Sequence, residues 1–290
     1  MERFLYVNNK SFFDKQGIIT LDIETPIPDK SCILFIGSHI NSRDISKFIQ
    51  GYLERIEKKP YTYILICGQT DAALNRNIKI PINVKYIYSM NINYVHPIIK
   101  FLPMGCDFRS ISSFKKASIE NDKRPILCYC NFSLNTHADR KIIYNILKPK
   151  KFITFEHMQN FLNYSISRDK FFERLGTSKF TVCPRGNALD TFRFYDTVYS
   201  GSIPIVVKES FHSLPIFQDI PVLFLDKITD FQNITSEYLE KKYIELSRKK
   251  SKFYRGFDFN SFIEDIQSMF IKENEVSAYL KANSEIKIQS

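Results

Sequence analysis

The chain has 290 residues, with 41 Lys and Arg against 31 Asp and Glu, for a formal net charge of +10. That length fits one large domain or two of ordinary size, and a hydrophobic fraction of 44% supplies a core and excludes global disorder. The longest apolar runs, such as Ile203–Val207 and Val222–Leu225, are strand-sized, and none approaches the roughly 18 residues of a membrane span. The start, MERFLYVNNKSFFDK, has too short an apolar run for a signal peptide and an acid at position 2, so a cytoplasmic protein is expected. Cys32, Cys67, Cys106, Cys128, Cys130 and Cys183 lie mostly inside apolar runs, as reduced core thiols do. Cys128 and Cys130 share a strand face but have no second pair at zinc-finger spacing, so no metal site is read there. The basic excess leaves three kinds of partner open: nucleic acid, an anionic membrane surface, or an anionic small substrate.

In chain order, Cys32–Gly37 is an unbroken apolar run, the mark of a strand covered on both faces. An amphipathic helix from about Arg43 to Glu57 follows. Tyr61–Cys67, Val84–Tyr88 and Ile98–Leu102 read as further strands, the last ending in Pro103-Met104-Gly105. The polar stretch from Ser110 to Arg124 is the best domain boundary, giving domains over 1–118 and 119–290. Strand Pro125–Asn131, helix Ala138–Leu147, strand Phe152–Phe155 and helices His157–Tyr164 and Arg168–Leu175 come next. Strand Phe180–Cys183, a helix near Asp190–Ser200, and strands Ile203–Val207 and Val222–Leu225 complete the alternation. The tail is helical over Ser236–Lys250 and from Ser261 to about Lys281. Such alternation argues for two consecutive α/β units with parallel, doubly wound sheets and a site at the carboxyl ends of their strands.

The most informative stretch is Ser178–Val207, SKFTVCPRGNALDTFRFYDTVYSGSIPIVV. It reads as strand, Pro-Arg-Gly loop, helix, Gly turn, strand. Gly186 lets the backbone approach a ligand closely. The helix starts near Asp190-Thr191, either of which can cap it, and its free amides and positive dipole end make an anion site. Arg185 lies in the loop and Arg193 in the first helical turn, so both can point at one pyrophosphate. Asp196 shares the face of Arg193 and can accept hydrogen bonds from ribose hydroxyls. The alternative is a helix on whose surface Arg193 and Asp196 merely pair, with Gly186 an ordinary turn residue.

The pattern Pro184-Arg185-Gly186, Arg193-Phe194-Tyr195-Asp196, Gly201-Ser202-Ile203-Pro204-Ile205-Val206 resembles the C-terminal signature of exostosin-like glycosyltransferases. His212-Ser213-Leu214-Pro215-Ile216-Phe217 is similar to their Leu-Pro-Phe element, and His96-Pro97 with Leu102–Asp107 to a segment near the end of their first domain. The resemblance is specific over about Phe171–Leu225, weaker over His96–Asn135, and absent before residue 90. Asp196 stands where many relatives have Glu. The resemblance implies a GT-B fold, two Rossmann-like doubly wound domains facing a cleft, with the acceptor on the first and a nucleotide sugar on the second. It implies hexosyl or pentosyl transfer from a nucleoside-diphosphate sugar, UDP-sugar favoured, with inversion and no obligatory metal or other cofactor. Arg185 and Arg193 would bind the diphosphate, Gly186, Asn187 and the amides near Asp190 and Thr191 would cradle it, and Asp196 would bind the ribose. Gly201 and Pro204 would be architectural.

Displacement at the anomeric carbon also needs a base for the acceptor hydroxyl. His39, Asp71 and Asp107, on loops following strands of the first domain, are the candidates, one of them at most. His137 and His157 read as helix-start residues. The resulting expectation is a cytoplasmic enzyme, peripheral at the inner face of the membrane, that acts on a glycan or glycolipid acceptor in surface polysaccharide or lipopolysaccharide synthesis. The alternatives are a basic nucleic-acid-binding protein, disfavoured by dispersed lysines and the lack of a recognition signature, and a catalytically inactive GT-B-like protein.

Overall fold

A computed structural model describes residues 13–14, 16–21, 25–37, 45–68, 71–105, 124–156, 166–214, 217–218, 220–248 and 263–275. The chain forms two compact units, Met1–Pro103 with Asp258–Ser290, and Met104–Phe257.

The first unit is built on a parallel sheet of β1 (Ile19–Leu21), β2 (Cys32–Ile36), β3 (Tyr63–Cys67), β4 (Val84–Ser89) and β5 (Ile99–Phe101), adjacent in that order. Every residue of β2 and β3 is buried, as unbroken apolar runs in a parallel sheet require. Helix α1 (Ile45–Glu57) buries Ile45, Ile49, Tyr52, Leu53 and Ile56, the stripe that gave it an amphipathic pattern. The strand order follows the chain, so no reversal falls among the described strands of this sheet. β1 has only three residues, too few to register as a periodic signal.

The second unit holds β6 (Ile126–Cys130), β7 (Ile153–Phe155), β8 (Ser178–Val182), β9 (Ile203–Val207) and β10 (Leu223–Leu225), all parallel in the order β10-β9-β8-β6-β7. Helices α2 (Ala138–Leu147), α3 (Arg168–Thr177), α4 (Phe192–Tyr199) and α5 (Ser236–Ser247) accompany it. The core joins strand residues Cys128, Phe180, Val182, Ile203 and Ile205 to Leu147, Phe231 and Leu239. The chain leaves β6 in one direction to β7 and in the other to β8, so the strand order reverses between β6 and β8. Ligands of open α/β sheets bind outside the carboxyl ends of the strands at such a point. On the opposite side of the sheet, buried Arg124 donates to the carbonyls of Leu175, Ser178 and Ser200 and ties the ends of α3 and α4 to the start of β8.

The boundary expected at 118/119 lies outside the described residues, and the units part between Pro103 and Met104. The helical residues 263–275, expected with the second domain, belong to the first unit. Ile263 and Ile266 are buried, Gln267 Nε2 donates to the Gln16 carbonyl at 2.8 Å, and the Tyr88 hydroxyl reaches Met269 Sδ at 3.9 Å. An apolar stripe predicts that a helix is buried, not which sheet covers it. The helix expected at His157–Tyr164 lies outside the described residues. Cys32, Cys67, Cys128, Cys130 and Cys183 are buried free thiols, as expected, and Cys106 lies outside the described residues.

Gly201 has φ +73° and closes α4. Its amide donates to Val198 O at 2.9 Å and that of Ser202 to Thr197 O at 3.1 Å, which satisfies carbonyls of the last turn. A side chain here meets the left-handed penalty of about 1–2 kcal/mol. Gly201→Ala is expected to lower the unfolding free energy by about that amount, measurable by urea denaturation.

Candidate active site

The site is built where the loops after β6 and β8 run side by side. Arg140, in the first turn of α2, is only 8% exposed. Its Nη1 donates to Ser133 O at 3.1 Å, its Nη2 to Pro184 O at 3.1 Å and its Nε to Arg185 O at 2.6 Å. One planar guanidinium thus fastens the loop after β6 to the Pro-Arg-Gly loop after β8. Gly186 packs closely against this contact. A Cβ on it would stand 3.1 Å from Arg140 Nη2 and 3.7 Å from Thr136 Oγ1. In the folded chain the backbone at Gly186 comes close to Arg140.

Arg140 is pushed down to about 9 by burial and by the positive charge of Arg193. Two guanidiniums therefore act on each other in a low-dielectric setting, an arrangement that an anion would relieve. Arg193 projects from the first turn of α4, with Cζ 5.1 Å above the Phe171 ring. Its charge also reaches Tyr129, Cys130 and Cys183 at the carboxyl ends of β6 and β8. Tyr129 donates to Glu156 Oε2 at 2.6 Å and accepts from Asn131 Nδ2 at 3.0 Å, while Arg174 Nε holds Glu156 Oε1 at 2.7 Å. Burial and the Glu156 carboxylate hold the Tyr129 phenol protonated, well above its usual range. Asp196 is 7% exposed and close enough to Cys183 to raise its thiol further above the usual range. The surface pairing of Arg193 with Asp196 considered above does not describe these residues, because Asp196 is inside the unit.

Asp190 plays a different part from the one expected. Its carboxylate is 2% exposed, and Oδ2 accepts from Met104 N at 2.8 Å and from the Tyr195 hydroxyl at 2.7 Å. Oδ1 accepts from Thr191 N at 2.9 Å. The carboxylate is thus occupied by its own chain and takes up an amide that had been assigned to the diphosphate. Burial pushes this acid up to about 6 despite the three bonds. Thr191 caps α4 with its backbone alone.

A cavity of about 70 Å³ opens between the loops after β8 and β9. Arg185, Asp190 and Thr191 line it, together with Asp139, Leu189, Phe194, Val206, Glu209 and His212. Half-buried Glu209 is raised above the usual carboxylate range by burial and by Asp139, and lowered in part by Arg185. Arg185 is buried at its Nε, which has no hydrogen-bond partner among the described residues. Gly186, Asn187, Arg193 and Asp196 do not line this cavity. Asn187 is exposed in the loop. Arg140 relates the two parts, since it binds the Arg185 carbonyl and feels the charge of Arg193.

Among the base candidates, Asp71 is exposed in the loop after β3. His39 and Asp107 lie outside the described residues, as does His157. His137 is the N-cap of α2, as expected, with Nδ1 accepting from Asp139 N at 3.3 Å. Among the described residues, no group of three or more His, Cys, Asp or Glu could hold a metal ion. Sequence reading missed Arg140 and Glu209 and took His212 only as part of a motif. The available signal was position: Glu209 and His212 follow the carboxyl end of β9, and Arg140 opens the helix after β6.

Comparison with known proteins places this site in a family. The model of the RXYLT1 C-terminal domain matches residues 108–275. A protein of Arabidopsis thaliana, "Probable glycosyltransferase At5g03795", is 22% identical over 151 residues, 48% of this chain. The match takes in only 26% of that protein, so the chain spans about a quarter of its length. Among solved structures, an alpha1,3-fucosyltransferase aligns over 86% of this chain and 79% of its own, at TM-score 0.49 and 11% identity. An alpha-glucosyltransferase in complex with UDP and a mismatched 13-mer DNA aligns over 82% and 80%, at TM-score 0.43 and 12% identity. With more than half of its residues inside the family model, this chain belongs to the RXYLT1 C-terminal domain family, among the exostosin-like glycosyltransferases.

Proposed function

We propose that the protein transfers a glycosyl group from a nucleoside-diphosphate sugar, a UDP-sugar by preference, to a hydroxyl of a glycan or glycolipid. The observation that carries this reading is the cluster of Arg140, Arg185 and Arg193 around the β6/β8 switch point of the second unit. Departure of a nucleoside diphosphate places growing negative charge on its phosphates. Fixed guanidiniums with little water around them stabilise that charge as it forms. Arg140 is committed to three carbonyls, so it holds the loop while Arg185 and Arg193 meet the anion. In this reading the arginines take the part that a divalent ion plays in other transferases, and displacement by the acceptor inverts the anomeric centre. The acceptor hydroxyl gives its proton to one of His39, Asp71 and Asp107.

The remaining basic surplus of the +10 chain suits an enzyme held by charge at an anionic membrane face, where a lipid-linked precursor of a surface polysaccharide would be met. Among the described residues no helix is long and apolar enough to cross a membrane.

The test is a titration with UDP, GDP and CMP and their sugar derivatives, followed by thermal unfolding. A nucleoside diphosphate should raise the midpoint in a saturable way. No shift with any of them, in a sample that unfolds cooperatively, would overturn the proposal.

A further inference from the structure

Beyond β9 the chain passes through Lys208 and Glu209 into a short 3-10 turn, Ser210–Ser213, that carries His212 into the wall of the cavity. The imidazole is 8% exposed. It is surrounded by the rings of Phe194, Phe211, Phe217 and Phe224, with centroids 4.2–5.9 Å away. A phenylalanine would fill this aromatic box without the desolvation that an imidazole suffers, so the two ring nitrogens need a reason. One has it: Nδ1 accepts the Glu209 backbone N–H at 2.9 Å. An accepting Nδ1 fixes the tautomer and leaves the proton on Nε2. Burial and the charge of Lys208 push His212 down to about 4, so the ring is neutral near pH 7. Among the described residues Nε2 has no hydrogen-bond acceptor.

The rest of the lining indicates what that donor meets. Ile143, Leu189, Val206 and Phe231 make an apolar wall, and Asp139 and Glu209 bring carboxylates. Carboxylates repel a further phosphate, whereas an apolar wall, one neutral N–H donor and one acidic acceptor suit the uncharged part of a nucleotide. Arg185, at the same cavity, marks the side on which the phosphates lie. We infer that His212 is a specificity residue of the donor site, whose Nε2–H donates a hydrogen bond to an oxygen of the nucleoside moiety. This rests on the cavity being part of a nucleotide-sugar site.

The experiment is calorimetric titration of the full chain and of His212→Phe and His212→Asn with UDP, GDP and inorganic pyrophosphate. His212→Phe should lose about ten-fold in affinity for the preferred nucleoside diphosphate, the worth of one neutral hydrogen bond, and keep its affinity for pyrophosphate. His212→Asn retains a donor and an acceptor and should recover most of the loss. An unchanged nucleotide affinity in His212→Phe, or an equal loss for pyrophosphate, overturns the inference and leaves the proposed function standing. Wild-type chain that binds no nucleoside diphosphate overturns both. The decisive measurement without substitution is the ¹⁵N resonance of His212 Nε2, which should move when UDP or GDP saturates the wild-type protein. A resonance that stays in place under saturation rejects the contact. With 2′-deoxy-UDP, loss of the His212→Phe effect assigns the acceptor to the ribose 2′-oxygen, and persistence assigns it elsewhere on the nucleoside.

Discussion

Arg193→Ala is expected to weaken nucleoside-diphosphate binding by about 10- to 100-fold, and Arg185→Ala by a similar factor. A hydrogen bond to a charged group contributes about 1.5–3 kcal/mol, which converts to that range. The effect should fall on the phosphates, so inorganic pyrophosphate loses affinity in parallel with UDP or GDP, unlike the pattern expected for His212. Arg193→Lys should recover part of the loss only. Lysine keeps the charge but not the planar fork that reaches two oxygens at once. Stability offers a check on the same residue. Arg193 depresses its neighbour Arg140, so Arg193→Ala removes a repulsion while forfeiting contacts that include the Phe171 ring, and its unfolding free energy is to be read beside its affinity. Calorimetry paired with urea denaturation separates the two. Wild-type affinity in both alanine variants would show that the diphosphate lies elsewhere.

The elements were legible because their signals were local. Ala138–Leu147 and Ile203–Val207 occupy the expected bounds, the first from its 3.6-residue apolar period and the second from an unbroken apolar run. The Pro-Arg-Gly loop and the α4 start were legible for the same reason, since a strand, a glycine loop and a helix start are adjacent in sequence. Pairwise geometry across the fold was not. Arg140 is 45 positions from Arg185, and only the β6/β8 adjacency brings them together. Asp190 looked like an exposed cap because Asp is common before helices. Its burial depends on Met104 and Tyr195, of which Met104 is 86 residues away. Alternating strands and helices fix the parallel class, while the side on which each strand is added depends on packing that no short window contains.

Asp190 and His212 should give the second unit two opposed pH dependences that nearly cancel in the wild-type chain. The Asp190 carboxyl is raised by burial from 3.8 to about 6. A group whose folded pKa lies above its unfolded one stabilises fully below the unfolded value, and that contribution is lost as pH rises through about 6. The difference of about two units amounts to about 3 kcal/mol. His212 is lowered from 6.5 to about 4 by burial and by Lys208. Its contribution, also about 3 kcal/mol, is present above pH 6.5 and is lost as pH falls through 4. Between pH 4 and 6.5 acidification therefore gains stability at Asp190 and forfeits it at His212. Each substitution should unmask the other slope. The wild-type advantage over Asp190→Asn should grow by about 3 kcal/mol from pH 7 to pH 4, and the advantage over His212→Asn should shrink by about as much. Urea denaturation at pH 4, 5, 6 and 7 reads both differences, and titrations elsewhere in the chain drop out of each comparison. Differences that stay constant across this range would mean that Asp190 and His212 titrate as exposed residues do, which would contradict the buried carboxylate and the neutral imidazole on which the geometry of the cavity depends.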